Sequence, residues 1–360
     1  MPDTSLYLCI DCGGSKTAAA IADWNGQILS RGFGGPANYN DAGKAKFIQA
    51  VSQATREALA AIPGHERLGI PLPEPVFAGV WIGASGIDRK QDVLDVTPAV
   101  SDLLHAEPGP RLSITNDTYL LASPLASYPA ADTAIAVIGG TGSNVSAFRR
   151  GTNGGLLKEL GRCGGWGWIL GDEGSGFHVG KETLRTLLAA SDYLSVTGNS
   201  PLSQTSTAKV QEAVFRHFGI SKAYDLFSIV YAAEPTMSVA GTTAAPLGLE
   251  RKHRIASLAP LVFALAFDSH DECALAILKT TARSLADQIR SVMEAPSSDE
   301  DRRIDPSRTI LCFGGSLVGV EGYRQLIVDD LKKDGMVFAG AEFVDDVTAS
   351  GAASLAQACV

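Results

Sequence analysis

Hydrophobic positions along the chain follow two periods, one extended and one helical. Leu6–Ile10 is a short unbroken apolar run, as a buried strand makes, and Gly13-Gly14 interrupts it. Thr17–Ala22 and Gln27–Arg31 read as two further strands. They are joined by Asp23-Trp24-Asn25-Gly26, whose Asn-Gly pair tolerates positive φ and so favours a hairpin. Phe47, Val51, Ala54, Ala58 and Leu59 recur at helical spacing, which predicts a helix over Lys44–Ala61 capped by Asp41 and ended by Pro63-Gly64. A strand at Val76–Ile82, a helix over Gln91–Leu104 and a strand at Leu112–Thr115 continue the alternation expected of an α/β protein.

The opening pattern then returns. Thr133–Ile138 is an apolar strand, Gly139-Gly140-Thr141-Gly142-Ser143 a glycine loop and Asn144–Phe148 a returning strand, roughly 125 residues after their first counterparts. This repetition implies a duplicated unit. Gly176 to Ala295 reads as mostly helical, with loops at Ser191–Thr207 and Gly241–Gly248. Thr309–Phe313 is a late strand ending in Gly314-Gly315-Ser316. A helix over Tyr323–Lys333, a strand over Met336–Phe343 and a small-residue helix over Ala349–Ala358 follow.

Length and composition narrow the function classes. At 360 residues the chain exceeds a single compact core, which predicts two domains and a cleft. Hydrophobic residues are 45% and charged residues 19%, too apolar for disorder. The net charge of -9, without any Lys/Arg run, argues against nucleic acid and leaves a small molecule as the expected ligand. MPDTSLYLCIDCGG has no basic leader, and Asp11 cuts its apolar run, so neither a signal peptide nor a membrane span is expected, and the location expected is cytoplasmic. The six cysteines fit reduced thiols; Cys9 and Cys12 have CxxC spacing but no second pair to complete a zinc site. The sequons at Asn116 and Asn144 would matter only in a secreted protein.

Six segments carry candidate chemistry. Asp11-Cys12-Gly13-Gly14-Ser15-Lys16-Thr17 sets a carboxylate at a strand end, followed by glycines whose N–H groups can approach an anion. It is not a Walker loop, which needs glycine where Ser15 stands. Gly139–Ser143 and Gly314-Gly315-Ser316 repeat the logic. Asn116-Asp117-Thr118 puts a carboxylate at a sheet edge, where it can take a hydroxyl proton; a helix N-cap is the other use of Asp117. Gly161–Gly176 sets Trp166 and Trp168 beside Asp172 and Glu173, suiting the apolar face and hydroxyls of a sugar, although the tryptophans would also serve as anchors for a glycine-rich loop. Asn38, in Gly35-Pro36-Ala37-Asn38-Tyr39-Asn40, can donate to and accept from vicinal hydroxyls. His178 reads as a helix residue only.

The ordered set DCGGSKT, GGPANYN, ASG at Ala84–Gly86, TND at Thr115–Asp117, GGTGSN, GRCGGWGWILGDEGSG and LCFGGS resembles the N-acetylglucosamine kinase branch of the BadF/BadG/BcrA/BcrD ATPase family, in the sugar kinase, Hsp70 and actin superfamily. The resemblance spans essentially the whole chain. It implies two actin-like (ribonuclease H-like) α/β domains around a nucleotide and sugar cleft, one of residues 1–118 with the helix 349–360 and one of residues 119–348 with a helical insertion. It implies ATP and Mg²⁺ as cofactors and phosphorylation of the 6-hydroxyl of an amino sugar, N-acetyl-D-glucosamine foremost, with glucosamine or N-acetylmuramic acid as alternatives. Asp117 matches the catalytic base. Asp11, Gly13, Gly14, Ser15, Lys16, Thr17, Gly140, Thr141, Gly142 and Ser143 match the phosphate motifs, with Asp11 holding Mg²⁺ through water. Gly314, Gly315 and Ser316 match the adenosine motif, and Gly351-Ala352-Ala353 the helix start beside adenine. Asn38, Ser85, Gly86, Asn116, Asp117, Cys163, Gly165, Trp166 and Asp172 match sugar-lining positions. The region Ser191–Ser307 matches no motif and is expected to form a dimer face or lid, in a homodimer. No C-x-x-C-G zinc segment of ROK-type kinases is present. A reading of another class is an ATP-driven dehydratase or reductase activator, which would hold an iron–sulfur cluster on thiolates between subunits.

Overall fold

The computed structural model describes residues 5–109, 111–151, 157–199, 206–235, 246–294, 299 and 302–358. Two five-stranded sheets organise them. The first orders its strands β3-β2-β1-β4-β5, from β1 (Leu6–Cys12), β2 (Thr17–Ala22), β3 (Ile28–Gly34), β4 (Phe77–Ala84) and β5 (Leu112–Asn116). The second orders its strands β10-β9-β6-β7-β8, from β6 (Thr133–Gly139), β7 (Ser143–Arg150), β8 (Leu157–Gly164), β9 (Thr309–Gly314) and β10 (Gly340–Phe343). In each, the first three strands form an antiparallel meander and the last two run parallel to the first. The duplication read from the glycine loops is thus a repeat of the whole sheet.

Helices cover the faces. In the first half α1 (Tyr39–Ala60) and α2 (Lys90–Leu104) bury Phe47, Val51, Val96 and Val100 against one side of the sheet. In the second, α4 (Gly176–Thr197), α9 (Glu272–Met293) and α10 (Glu321–Lys332) cover the core built on Ile135, Val137 and Phe313, with the shorter α5 (Ala208–Phe218), α6 (Leu226–Val230), α7 (Arg251–Ala256) and α8 (Ala259–Phe263) beside them. Between the sheets lies α3 (Thr118–Leu121). Its adjacent leucines divide the work: Leu120 packs with Cys9 and Trp81 of the first sheet, Leu121 with Ala136 and Ile310 of the second. Burying each contributes about 1.5–3 kcal/mol, so the residues after Asp117 are held from both sides. The chain returns to the first sheet at α11 (Val347–Ala358), which lies on β1 and β2.

Several elements differ from expectation. The cap of α1 is Asn38, whose Oδ1 accepts from the Asn40 and Asp41 N–H groups; Asp41 lies inside the first turn, ahead of a kink at Gly43. β8 occupies Leu157–Gly164, where the glycine-rich sequence reads as loop, because pairing with β7 supplies an extended backbone that few apolar residues signal. α4 continues through Ser191 to Thr197, and β10 is only four residues long. Residues 200–205 of the first expected loop and 241–245 of the second lie outside the described residues. The hairpin at Asp23–Gly26 is as expected: Asp23 Oδ1 accepts from the Asn25 and Gln27 N–H groups, and Gly26 takes φ of 80°.

Candidate active site

The corner after β1 is stitched to two other loops by backbone bonds, and those two loops to each other. Ala37 N donates to Gly13 O at 2.9 Å, Ser85 N to Cys12 O at 3.0 Å, and Tyr39 N to Ser85 O at 2.8 Å. Thr17 Oγ1 donates to Gly35 O at 2.8 Å, so that hydroxyl is spent on the loop, whereas Gly14, Ser15 and Lys16 stand exposed. Lys16 places its ammonium 5.7 Å from the Phe33 ring centroid. Gly86 has φ of 82°, and a Cβ there would lie 2.6 Å from Asn38 Oδ1, so the ASG turn admits only glycine if Asn38 keeps its place.

Asp117 lies at the junction of these loops. Asn38 Nδ2 donates to Ser85 Oγ at 3.1 Å, and the Ser85 hydroxyl donates in turn to the Asp117 carboxylate. The helix-cap role falls to its neighbour: Asn116 Oδ1 accepts from the Thr118 N–H at 3.0 Å, while its Nδ2 reaches Asp88 Oδ1 at 3.0 Å and Ile87 O at 3.3 Å. Asp117 makes no side-chain cap bond; its carboxylate is oriented by the Ser85 hydroxyl and the Thr118 N–H. Burial raises the Asp117 carboxyl above the usual carboxylate range, and the charge of Asp88 adds to the rise. Burial, followed by repulsion from Asp117, pushes Asp11 up to about 6, with Lys16 pulling the other way. Two carboxylates therefore share one buried corner, which a cation would stabilise.

The corner after β6 is built differently. Gly140 N donates to Gly142 O, and Gly176 N, at the start of α4, donates to Gly140 O at 2.8 Å. The N-terminal end of a 22-residue helix thus abuts the loop, and its dipole favours an anion there. Ser143 is buried and committed, its N–H to Asp172 Oδ1 at 3.1 Å and its hydroxyl to Glu173 O at 2.7 Å. Asp172 is 3% exposed, with φ of 62°. Lys252 of α7 sets its ammonium 3.0 Å from Asp172 Oδ2. Gly315, at φ of 100°, packs so tightly on Gly139 that a Cβ would fall 2.7 Å from its carbonyl oxygen. Gly314 is buried against Leu121, and Ser316 stands exposed next to it.

A cavity of about 640 Å³ opens at this second corner. Gly140, Thr141, Gly176 and Ser316 form its polar end; Ala259, Phe263, Phe267 and Val320 are among its apolar walls. An apolar slot beside a glycine corner and a helix N-terminus suits a nucleoside with a phosphate tail. Gly351-Ala352-Ala353 is elsewhere: a Cβ at Gly351 would lie 2.4 Å from Cys9 Sγ, so these small residues let α11 press onto the first sheet, and the expectation that they make room for adenine is not met.

In the glycine-rich stretch the two indoles part ways. Trp168 packs on Phe177 with ring centroids 5.4 Å apart and anchors the segment. Trp166 is 63% exposed. Gly165 N donates to Ser143 O, which ties this stretch to the second corner. Cys163 lies in β8 with its thiol against Ser291, its pKa raised by burial. Four supporting residues escaped the sequence reading. Lys252 pairs with Asp172, Gln288 Nε2 donates to Glu173 O at 3.0 Å, and the buried Tyr323 hydroxyl donates to Gly174 O at 3.0 Å. His178 is more than a helix residue: its Nδ1 accepts from Gly174 N at 2.9 Å, and burial, aided by Lys181 and Arg185, holds its pKa near 4, so the ring is neutral. The first three sit on helices distant in sequence and carry no local signal.

The model of the BadF/BadG/BcrA/BcrD ATPase family matches residues 8–346, a span running from β1 to the crossing before α11. The chain belongs to that family. Within reach of this ATPase family are two curated relatives. N-acetyl-D-glucosamine kinase of Dictyostelium discoideum is 29% identical over 302 residues, covering 83% of this chain and 82% of that one. N-acetylmuramic acid/N-acetylglucosamine kinase of Clostridium acetobutylicum is 26% identical over 325 residues, covering 90% and 88%. A solved structure of a candidate N-acetylglucosamine kinase from Porphyromonas gingivalis superposes with a TM-score of 0.57 at 20% identity over 98% of both chains, which shows the shared two-sheet α/β fold.

Proposed function

We propose that the protein is an ATP-dependent kinase that phosphorylates the 6-hydroxyl of N-acetyl-D-glucosamine. The observation that carries the proposal is the pairing of a buried, hydrogen-bond-oriented carboxylate, Asp117, with a separate glycine corner that opens on a nucleoside-sized cavity. Phosphoryl transfer to an alcohol needs an oriented acceptor, a base for its proton and a neutral or positive cradle for the phosphates. Asp117 is the base, aimed by the Ser85 and Asn38 donors. Gly13 and Gly14 on one side, and Gly140, Thr141 and Gly142 on the other, supply the phosphate contacts, with adenosine in the cavity beside Ser316. Asn38, Gly86, Gly165 and Trp166 line the sugar, and the buried Asp172 carboxylate, taken by Ser143 N and Lys252, supports the second glycine loop beside it. The exposed Trp166 indole offers an apolar face that the 2-acetamido group can cover.

Mg²⁺ fits the residues present. Asp11 and Asp117 are both buried, and the charge of Asp117 raises the proton affinity of Asp11, a repulsion that a divalent cation removes; Asp11 is the residue that would hold it through water. Bound there, the ion would draw charge from the transferring phosphate. We assign residues 1–118 with 349–360 to one domain and 119–348 to the other, closing on the ligands as a cytoplasmic homodimer. The activator reading has no support from the thiols. Among the described cysteines only Cys163 is not buried, and an iron–sulfur cluster needs more than one reachable thiolate. The test is ADP release coupled to sugar phosphorylation across N-acetylglucosamine, N-acetylmuramic acid, glucosamine and glucose. Highest kcat/KM for N-acetylglucosamine supports the reading; no sugar-dependent ADP release overturns it.

A further inference from the structure

Asp172 presents a difficulty for any nucleotide at the second corner. Its carboxylate is almost wholly buried, its Oδ1 accepts from Ser143 N, and a Cβ built at Gly142 would lie 2.9 Å from that same oxygen. A fixed negative charge thus sits directly behind the loop proposed to hold phosphates. In a buried setting such a charge repels a triphosphate far more strongly than it would in water. Lys252 reverses this. It stands one helical turn before Ala256, which lines the cavity, and it places its ammonium 3.0 Å from Asp172 Oδ2 while keeping a quarter of its own side chain exposed. The contact is one of charge: no donor is aligned for a hydrogen bond on Oδ2.

The helix that carries Lys252 is itself tightly placed. Gly180 of α4 brings the two helices so close that a Cβ would meet Ile255 O at 2.0 Å. The neighbouring Arg254 is fully buried and donates to the carbonyls of Ile229, Pro246 and Leu249. Lys252 is therefore presented by a rigid element and reaches one acceptor.

We propose that Lys252 is a positioning residue for the nucleotide: its ammonium cancels the charge of Asp172 behind the second glycine loop and so lets a triphosphate settle there. The proposal rests on the kinase reading above. It requires no contact between Lys252 and the phosphates, which separates it from a direct phosphate ligand. Removing the cation leaves Asp172 buried and uncompensated, whereas removing both charges restores neutrality.

The experiment is calorimetric binding of AMPPNP with Mg²⁺, in the absence of sugar, to the wild type, Lys252→Met, Lys252→Arg and the double variant Asp172→Asn/Lys252→Met. The single loss of charge should weaken binding by roughly 10-fold or more, the order expected for an uncompensated buried charge beside an anion. Lys252→Arg should stay near the wild type, and the double variant should return to within about threefold of it, because the repelling charge is gone. Should Lys252→Met not fold, the double variant decides alone: near-normal AMPPNP binding supports charge cancellation, and binding as weak as roughly 10-fold below wild type makes Lys252 a direct phosphate ligand and overturns the proposal. Unchanged binding in Lys252→Met overturns it as well, with the kinase reading intact. Failure of the wild type to bind AMPPNP at all removes both.

Discussion

The corners after β1 and after β6 occupy equivalent places in two sheets of the same strand order, yet they draw charge from different sources. In the first, Asp11 comes from the strand itself and Lys16 from the loop that follows. In the second, the position matching Asp11 is Ile138, the loop is glycine and threonine, and both nearby charges come from outside it, Asp172 from the glycine-rich stretch and Lys252 from α7. A duplicated backbone keeps its cradle while its electrostatics diverge. One corner becomes an acidic place fit for a cation and a reacting hydroxyl; the other becomes a glycine loop against a helix N-terminus, with the Asp172 carboxylate behind it paired to Lys252.

The largest test of this division is at the acidic corner. Asp117→Asn keeps shape but cannot accept a proton, so kcat should fall by roughly 10²–10⁴-fold with AMPPNP and sugar affinities little changed. Turnover within a fewfold of wild type would falsify the assignment. Next come the two loops. A Cβ at Gly14 meets nothing within 4 Å, and one at Gly140 approaches only Ser316, at 3.9 Å. Gly14→Val and Gly140→Val should therefore fold with unchanged melting temperature, yet lose about 10²-fold in kcat/KM for ATP because the phosphates are displaced. Normal ATP kinetics in both would break the equivalence of the corners.

A smaller effect concerns pH. Asp11 is raised to about 6 by burial and Asp117, so below that pH it takes up a proton. If its carboxylate is needed, activity should fall about 10-fold per unit below the pKa. Stability should move oppositely. Between its unfolded value, 3.8, and 6 the native state binds more proton than the unfolded one, so the ligand-free protein gains stability as pH drops through that window. Thermal scans at pH 7.5 and 5 compared with Asp11→Asn check this; identical pH trends in wild type and variant would remove Asp11 as the cause. The smallest effect expected is at Trp166→Ala, which should narrow the preference for N-acetylglucosamine over glucose by roughly 10-fold, an amount typical of one apolar contact. An unchanged kcat/KM ratio would take the indole out of sugar selection.

Much of the first corner was legible because its chemistry is contiguous: Asp11 through Lys16 lies on one strand and one turn, and Asn116-Asp117 at the end of one other strand, β5. The repeat itself was visible as two glycine loops after apolar strands. What sequence could not show was support from a distance. Lys252, Gln288 and Tyr323 look like ordinary positions on amphipathic helices, and only packing of α7, α9 and α10 reveals that each faces the loop Asp172–Gly174. Gly351 misled for a related reason. A small-residue run signals close approach without naming the neighbour, and here the neighbour is Cys9 and Leu120 instead of a ligand.

That helix also sets an order of events during synthesis. α11 covers Tyr7, Cys9, Ala20 and Trp81, residues made long before it. Until the ribosome has released Val347–Ala358, that face of the first sheet, opposite α1 and α2, stays apolar and open, a surface on which a nascent chain invites chaperones or mispairing. A chain stopped before Val347 would keep every residue of the acidic corner and still expose that face, so premature termination should yield aggregate in place of a weakened enzyme.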